Sequence, residues 1–257
     1  MGHIPAGQVV LVTGATGAIG FEIAAQAAEG GAVVGVHGSR EETVADAVAR
    51  IRERAPDAKL IPVPGNFARL EEIEAVVEKV ATEGGRLDAV IHCSTGNVGG
   101  GGRTAGVFAQ TDPADYVYHA HGLLVICQQL ARVALPHLVK QGGTFISYAS
   151  DAGRFAAARQ SMVGAAFGGI MMFVRNLAME LARDGVRVHC ISPSYVVDTP
   201  IFEKMSQVAN RAERAMARAG LGLPSPRDLA PVTLFLCGPE ASKITGQVIS
   251  VNGGLNA

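Results

Sequence analysis

The sequence predicts the α/β class, with a doubly wound parallel sheet and helices on both of its faces. Strand-like and helix-like segments alternate along the chain, which is typical of parallel sheets built from β-α units. The strands are continuous apolar runs rather than alternating ones, as a sheet covered on both faces requires. No internal repeat, linker or low-complexity tail interrupts the pattern, so we expect one domain over residues 1–257.

The elements follow one another in a regular order. Seven apolar, β-branched segments predict strands at residues 8–14, 32–38, 58–65, 87–94, 143–150, 186–194 and 246–254. Helical spacing predicts helices at residues 18–31, 39–56, 70–85, 112–139, 159–183 and 226–238. Ser39 and Glu42 have the spacing of a capping box at the start of the second helix. The glycine cluster at 96–102 predicts a mobile surface loop.

Composition excludes several classes of function. Hydrophobic residues make up 48% of the 257 residues and charged residues 18%, and the formal net charge is −1. This balance argues against nucleic acid or an anionic membrane as partner. The four cysteines are far apart, so neither a disulfide nor a metal site is expected. We find no signal peptide, and the longest uncharged run, 160–174, is too short for a membrane span, so we expect a soluble cytoplasmic protein.

The run "LVTGATGAIG" joins the first strand to the first helix. Glycines at this place allow a tight turn and a close approach of the backbone to a pyrophosphate, which the helix N-terminus attracts. A glycine pattern alone is weak evidence, but it gains weight at the first turn of a doubly wound sheet. The sequence therefore predicts a Rossmann-type dinucleotide site.

The chain resembles the short-chain dehydrogenase/reductase family from end to end. Besides the glycine turn, residues 181–200 ("LARDGVRVHCISPSYVVDTP") are similar to the strand and loop that this family places beside the nicotinamide. Residues 244–254 ("ITGQVISVNGG") are similar to its final strand. The resemblance implies the fold, NAD or NADP as cofactor, and a tetramer built on the two long helices.

The resemblance also implies a set of cofactor-binding residues: Gly14, Thr16, Gly17, Ile19, Ser39, Arg40, Asn66, Phe67 and Thr199. Ala18 stands where the common family pattern has a glycine. No acid follows the second strand, so Ser39 and Arg40 favour the 2′-phosphate of NADP; the alternative is a helix cap and a solvated side chain. Asn66 replaces an aspartate, and residues 92–95 replace Asn-Asn-Ala-Gly. All these departures favour weaker cofactor binding.

The catalytic positions depart further from the family. The resemblance places the family's serine at Ser150, but its tyrosine position falls on Val163 and its lysine position on Phe167. The position of its catalytic asparagine falls near Leu123. Neither Val nor Phe donates a proton, and general acid catalysis alone contributes about 10²–10⁴-fold. Ser150 is then a remnant, and we expect a nearly silent site.

Other groups offer alternatives. Tyr148 and Tyr195 are candidates for a substitute acid, and three histidines are candidates for groups near the pocket: His92, His119 and His121. Four polar residues share one predicted helix face: Gln207, Arg211, Arg214 and Arg218. That face is either a solvated surface or a contact for an anionic group such as a coenzyme A phosphate.

The helix that carries Val163 and Phe167 is rich in small residues, including Gly164, Ala165, Gly168 and Gly169. In the family this helix builds a subunit interface, which predicts a chain kept for packing. The main hypothesis is a non-catalytic subunit of a heterotetrameric NAD(P)-dependent dehydrogenase for alcohols or hydroxyacyl thioesters, paired with a catalytically intact paralogue. The alternatives are an active NADP-dependent oxidoreductase and an NADP(H)-binding regulatory protein.

Overall fold

A computed structural model describes residues 4–94, 106–206 and 210–256. Its seven strands form one parallel sheet in the order β3-β2-β1-β4-β5-β6-β7. The strands are β1 (Val9–Thr13), β2 (Val33–Gly38), β3 (Leu60–Pro64), β4 (Ala89–His92), β5 (Thr144–Tyr148), β6 (Arg187–Ser192) and β7 (Val248–Ser250). The predicted fold class and all seven strands are confirmed. The predicted loop at 96–102 lies outside the described residues.

The helices form two layers. Their bounds are α1 (Ala18–Glu29), α2 (Glu41–Arg54), α3 (Leu70–Gly84), α4 (Tyr116–Ala120), α5 (Ile126–Gln141), α6 (Ser161–Leu181), α7 (Pro200–Ser206), α8 (Arg211–Arg218) and α9 (Pro226–Cys237). Helices α1, α2 and α9 pack in one core cluster on one face of the sheet. Helices α3, α5 and α6 pack in the cluster on the other face. The strand order reverses between β1 and β4, and ligands bind such sheets in the crevice above this point.

Two predicted helices differ in detail. The helix expected at 112–139 runs continuously over Pro113–Gln141, but it begins with a 3-10 turn at Pro113–Asp115, and a π-helical turn at His121–Val125 joins α4 to α5. The capping box predicted at Ser39 is wrong, because α2 begins at Glu41 and its N-cap is Arg40, whose carbonyl accepts a bond from the Thr43 hydroxyl. Ser39 is exposed between β2 and α2.

Two segments of the described chain, Pro113–Gln141 and Ser161–Asp184, are long and apolar enough to cross a membrane by length and composition. The sequence prediction had considered only uncharged runs and therefore missed them. Less than half of each segment is buried within the chain. On α6 the exposed apolar residues include Met172 (52%) and Met179 (81%), beside the exposed, charged Arg175. The absence of a membrane and the cytoplasmic location stay predictions.

Candidate cofactor and ligand cleft

The turn between β1 and α1 has the geometry of a phosphate cradle. Gly14 has φ +70°, and a Cβ atom there would lie 2.9 Å from the backbone N of Ser94. A Cβ atom on Gly20 would overlap the carbonyl oxygen of Gly14. Gly17 is exposed and caps α1 without a side-chain bond. These residues fit a pyrophosphate, because the tight glycine backbone lies at the positive end of the α1 dipole.

His37, at the end of β2, is hydrogen-bonded to the backbone of this turn. Its Nε2–H donates to the Gly65 carbonyl at 3.0 Å, so Nδ1 carries no proton and accepts the Gly14 N–H at 3.3 Å. The ring also stacks on Phe67 with centroids 3.9 Å apart. Burial lowers the pKa of His37 to about 4, although the bond to Gly65 opposes this shift. Sequence analysis missed this residue, because a histidine in an apolar strand gives no signal of its own.

His92 occupies the equivalent place at the end of β4. Its Nδ1 and the Thr13 hydroxyl share a hydrogen bond with an O···N distance of 2.8 Å. Burial, with an added contribution from His37, lowers its pKa to about 3, so the imidazole is neutral near pH 7. Burial also raises the pKa of the Cys93 thiol far above its usual range. His92 and Cys93 therefore carry no charge near the glycine turn. A polyanion bound at this turn would be attracted by the backbone dipoles and not by these two side chains.

The predicted adenosine-binding residues lie along the carboxyl ends of β1, β2 and β3. Ser39, Arg40 and Thr16 are exposed, and Thr16 packs so closely on Gly38 that a Cβ there would overlap its side chain. Ile19 is half-buried against the core. Asn66 and Phe67, in contrast, make contacts within the chain. The Asn66 side-chain amide oxygen, Oδ1, accepts the Ala68 N–H at 3.1 Å, and the Phe67 ring is buried under His37.

Ser150 follows β5 at the edge of the sheet. Its Oγ accepts the Ala152 N–H at 3.3 Å and so begins a 3-10 turn, Asp151–Gly153. This turn packs on α6: a Cβ on Gly153 would lie 2.5 Å from the Gly168 N and 2.8 Å from the Phe167 Cβ. Val163 and Phe167 thus lie in the first two turns of the helix that contacts this turn.

The small residues of α6 are needed within the chain. A Cβ on Gly164 would lie 2.6 Å from the Ala152 carbonyl oxygen, and one on Gly169 would lie 3.0 Å from the Leu124 side chain. Their size therefore reports close packing of the 3-10 turn and of the π-helical turn on α6. It gives no independent support for an interface, contrary to the sequence interpretation.

Tyr148 is wrongly placed to act as an acid in the cleft that contains Ser150. Its hydroxyl donates to the Thr233 Oγ1 at 2.6 Å, and that hydroxyl donates in turn to the Leu229 carbonyl at 2.9 Å. The ring packs in the core cluster of α1 and α9, on the face of the sheet opposite α6. Burial, with a smaller contribution from Cys93, raises the pKa of Tyr148 well above its usual value. Although Tyr148 lies two residues before Ser150, β5 ends at Tyr148, so Ser150 lies beyond the strand and the two side chains need not share a face.

Tyr195 lies in the same cleft as Ser150, in the loop after β6. Its ring packs edge-on against Phe202, with centroids 6.5 Å apart. Thr199, in the same loop, is buried; its hydroxyl donates to the Val196 carbonyl at 2.8 Å and accepts the Phe202 N–H at 3.2 Å. The Thr199 hydroxyl therefore starts α7 rather than facing the cleft.

The histidine candidates separate from one another. His119 is half-buried beside the start of α6, where its pKa is lowered by burial against a bond to the Met162 backbone. Neither His119 nor His121 lines the cleft that contains Ser150 and Tyr195. His92 lies below the glycine turn, as described above. Among the described residues no cluster of three metal-ligating side chains occurs.

Asp151 forms a network that the sequence did not suggest. Its buried carboxylate accepts four side-chain bonds, from Ser192 (2.8 Å), Ser250 (2.9 Å), Asn252 (2.5 Å) and Asn256 (3.2 Å). These donors come from β6, from β7 and from the C-terminal segment, so one carboxylate ties three parts of the chain beneath the cleft. The only sign of this network in the sequence is the acidic residue directly after Ser150.

Comparisons with known proteins agree with this architecture. Residues 14–256 match the sequence profile of the family described as Enoyl-(Acyl carrier protein) reductase. The chain is 30% identical to the 3-oxoacyl-[acyl-carrier-protein] reductase of Thermotoga maritima, over 97% of this chain and 98% of the relative. It is also 30% identical to the peroxisomal 2,4-dienoyl-CoA reductase of Saccharomyces cerevisiae, over 97% of this chain and 84% of the relative.

Solved structures show the same fold. A short-chain type dehydrogenase/reductase from Mycobacterium ulcerans superimposes with a TM-score of 0.90 at 25% identity, covering 98% of this chain and 90% of that one. A 7α-hydroxysteroid dehydrogenase complexed with NADH and a 7-oxo bile acid superimposes with a TM-score of 0.88 at 24% identity, covering 98% and 95%. The fold, the glycine turn and these likenesses together show that the chain belongs to the short-chain dehydrogenase/reductase family.

Proposed function

We propose that the chain is an NADP(H)-binding, non-catalytic subunit of a hetero-oligomeric short-chain dehydrogenase, paired with a catalytically intact paralogue in a heterotetramer. The observation that carries the proposal is the placement of Val163 and Phe167 in the α6 turns that contact the 3-10 turn started by Ser150. The sequence contains no Tyr-x-x-x-Lys pair elsewhere. By its family resemblance the assembly acts on a secondary alcohol or a hydroxyacyl thioester.

The chemistry explains why this placement matters. When bound, the nicotinamide cofactor supplies or accepts a hydride, and the oxygen of the substrate then needs a proton donor and a stabilising charge. The hydrocarbon side chains of Val163 and Phe167 provide neither at any pH. The Ser150 hydroxyl accepts a backbone bond and is left with one proton to donate to a substrate oxygen. A serine with its ordinary, very high pKa orients a carbonyl but does not protonate it.

The residues present fit the pyrophosphate and 2′-phosphate side of the cofactor better than its nicotinamide side. Gly14 and Gly17 would hold the pyrophosphate, and the exposed Ser39 and Arg40 would meet a 2′-phosphate with a hydroxyl and a positive charge. On the nicotinamide side, the Thr199 hydroxyl is used within its own loop. Two of the structural relatives are complexes with NADH and with NADPH, which supports nucleotide binding in general and decides nothing about this chain.

Exposed apolar side chains on α4 and α6 support a packing role. Val117 (73%) and Met179 (81%) are large hydrophobic residues that this chain leaves uncovered. Removing such residues from water stabilises an interface by about 25 cal/mol per Å² of apolar area. A partner subunit would cover these helices, and this would also explain why they are apolar enough to satisfy a membrane-span criterion.

An active NADP-dependent oxidoreductase is the second candidate. It is favoured by the position of Tyr195 in the same cleft as Ser150, and by the relatives, several of which are named as reductases. In this case the Tyr195 hydroxyl would be the acid, although Thr199, not a lysine, stands four residues after it in the sequence. A homomeric protein that binds NADPH tightly without turnover would instead indicate a regulatory role.

Native mass spectrometry of the protein isolated gently from its source separates these candidates. A mixed assembly with a second family member that carries Tyr-x-x-x-Lys would support the non-catalytic subunit. A homomer would overturn it. The isolated chain should then be assayed for NADPH oxidation with acetoacetyl-CoA. Turnover that is lost in Tyr195→Phe but kept in Tyr118→Phe, a tyrosine outside the cleft, would establish the second candidate.

A further inference from the structure

A cleft of about 780 Å³ lies between the segment after Ser150, the loop after β6, helix α8 and the C-terminal segment. This size is within the range of sites for small organic ligands, which is about 300–1,000 Å³. Its apolar part comes from Phe155, Ala156, Ala215 and Leu255. Such a surface accommodates a hydrocarbon chain or ring.

Three arginines line the same cleft: Arg159, Arg214 and Arg218. All three are exposed, and none of the ion pairs among the described residues involves any of them. Arg218 donates to the Leu255 carbonyl at 3.3 Å, which holds its guanidinium beside the apolar part of the cleft. The positive charge is therefore available for a ligand.

The acid in the cleft does not neutralise these arginines. Both carboxylate oxygens of Asp151 are occupied by side-chain donors, and the residue is 1% exposed. No arginine is among its donors. The other polar side chains that line the cleft carry hydroxyls or amides: Ser150, Ser194, Tyr195, Gln160 and Asn256. The cleft thus combines positively charged side chains with an apolar wall.

The fold aims two of the arginines at this cleft. Ala215 and Ala219 are buried in a small cluster with Leu255, against which the Tyr195 ring packs. These alanines fix which face of α8 is turned inward. Arg214 and Arg218 are four residues apart, so they lie on one side of the helix beside that inward face and can act together. The sequence alone leaves open whether this helix face is solvated or contacts an anion. Of the four polar residues predicted on it, Gln207 and the side chain of Arg211 lie outside the described residues.

We infer that this cleft binds an organic anion, in which a carboxylate or phosphate group meets Arg214 and Arg218 while an apolar portion packs on Phe155 and Leu255. Guanidinium groups pair with both kinds of anion through two parallel N–H···O bonds. The cleft also holds Ser150 and Tyr195, so this inference rests on the proposed function in taking it as the ligand cleft, and it names the class of ligand. It does not depend on turnover, since a chain without a proton donor can still hold such a ligand.

Isothermal titration calorimetry without nucleotide tests the inference. The probes are octanoate, octyl phosphate, inorganic phosphate and the neutral 1-octanol. We expect the two amphiphilic anions to bind at least tenfold more tightly than either 1-octanol or inorganic phosphate. The ratio between octanoate and octyl phosphate then identifies which anionic group the site prefers. Equal binding of octanoate and 1-octanol, or no binding of either anion, would overturn the inference.

Variants connect the binding to the two arginines. Arg214→Gln and the double variant with Arg218→Gln should weaken binding of the anions by about tenfold and a hundredfold. Arg52→Gln, on the exposed face of α2, is the matched control and should bind as the wild type does. The Arg214 side chain is exposed and makes no hydrogen bond or ion pair with a described residue, so the single variant should fold normally. Unchanged affinity in a folded Arg214→Gln would contradict the inference, whatever the subunit composition proves to be.

Discussion

The two sides of the sheet's carboxyl edge differ in how much of a nucleotide site they keep. On the β1–β3 side, the glycine turn is tight, α1 has no side-chain cap, and Ser39 and Arg40 are exposed. On the β5–β6 side, hydrocarbon side chains and internally bonded hydroxyls occupy the corresponding places, as at Phe167 and Thr199. The tight glycine turn is required by the close packing of its own backbone, whereas Phe167 and Thr199 pack or bond within their own side of the sheet.

The largest expected effect is on the glycine turn. A methyl group at Gly20 would overlap the Gly14 carbonyl and displace the turn, so Gly20→Ala should weaken NADPH binding by about a hundredfold, or roughly 2.7 kcal/mol. Fluorescence of bound NADPH measures this, with circular dichroism to show that the variant folds. Gly220→Ala is the control, because nothing lies within 4 Å of a Cβ there. Unchanged affinity in a folded Gly20→Ala would show that this side is not a nucleotide site.

The histidine beneath the turn predicts a loss of stability in mild acid. His37 has a folded pKa of about 4, so below its unfolded pKa of about 6.5 the unfolded chain binds more protons and the free energy of unfolding falls as pH decreases. Between pH 7 and pH 5 we expect about 2 kcal/mol from this residue. Urea denaturation at both pH values should show a smaller loss in His37→Gln than in the wild type. An identical loss in both proteins would contradict a buried neutral His37.

Arg40 tests whether the β1–β3 side selects NADP. Arg40→Ala removes the positive charge next to the expected 2′-phosphate and should weaken NADPH binding by about tenfold, or roughly 1.4 kcal/mol, while NADH binding stays the same. Equilibrium titration with both nucleotides measures the ratio. Arg52→Ala, further along α2, should change neither affinity. Equal weakening of both nucleotides would indicate a role of Arg40 in the fold rather than in selectivity.

The smallest expected effect is that of a substitution at Tyr148, which packs on the face of the sheet opposite α6. Tyr148→Phe removes one buried hydrogen bond to Thr233, whose hydroxyl still donates to Leu229, so stability should fall by about 1 kcal/mol. NADPH affinity should not change, and any turnover should persist. Urea denaturation and the NADPH titration check these outcomes. Loss of turnover without loss of stability would return Tyr148 to the list of acids.

Local patterns were sufficient for most of the architecture. The seven strands and the glycine turn were predicted correctly, because apolar runs and positive-φ glycines depend on neighbours within a few residues. The helix cap at Ser39 was predicted wrongly, because α2 begins at Glu41 with Arg40 as its N-cap. The π-helical turn at His121–Val125 inside the long helix was also missed, since no proline or glycine pair marks such a turn in sequence.

By itself, the sequence determined the fold class, the family and the identity of the side chains at Ser150, Val163 and Phe167. Only the tertiary structure decided which groups meet. Asp151 takes its donors from residues 41 to 105 positions away, and Tyr148 finds Thr233 85 positions away. The side of α8 that turns toward the cleft is likewise set by the contact of Ala215 and Ala219 with Leu255. Such contacts depend on how distant elements pack, and residue order along the chain carries no direct record of that packing.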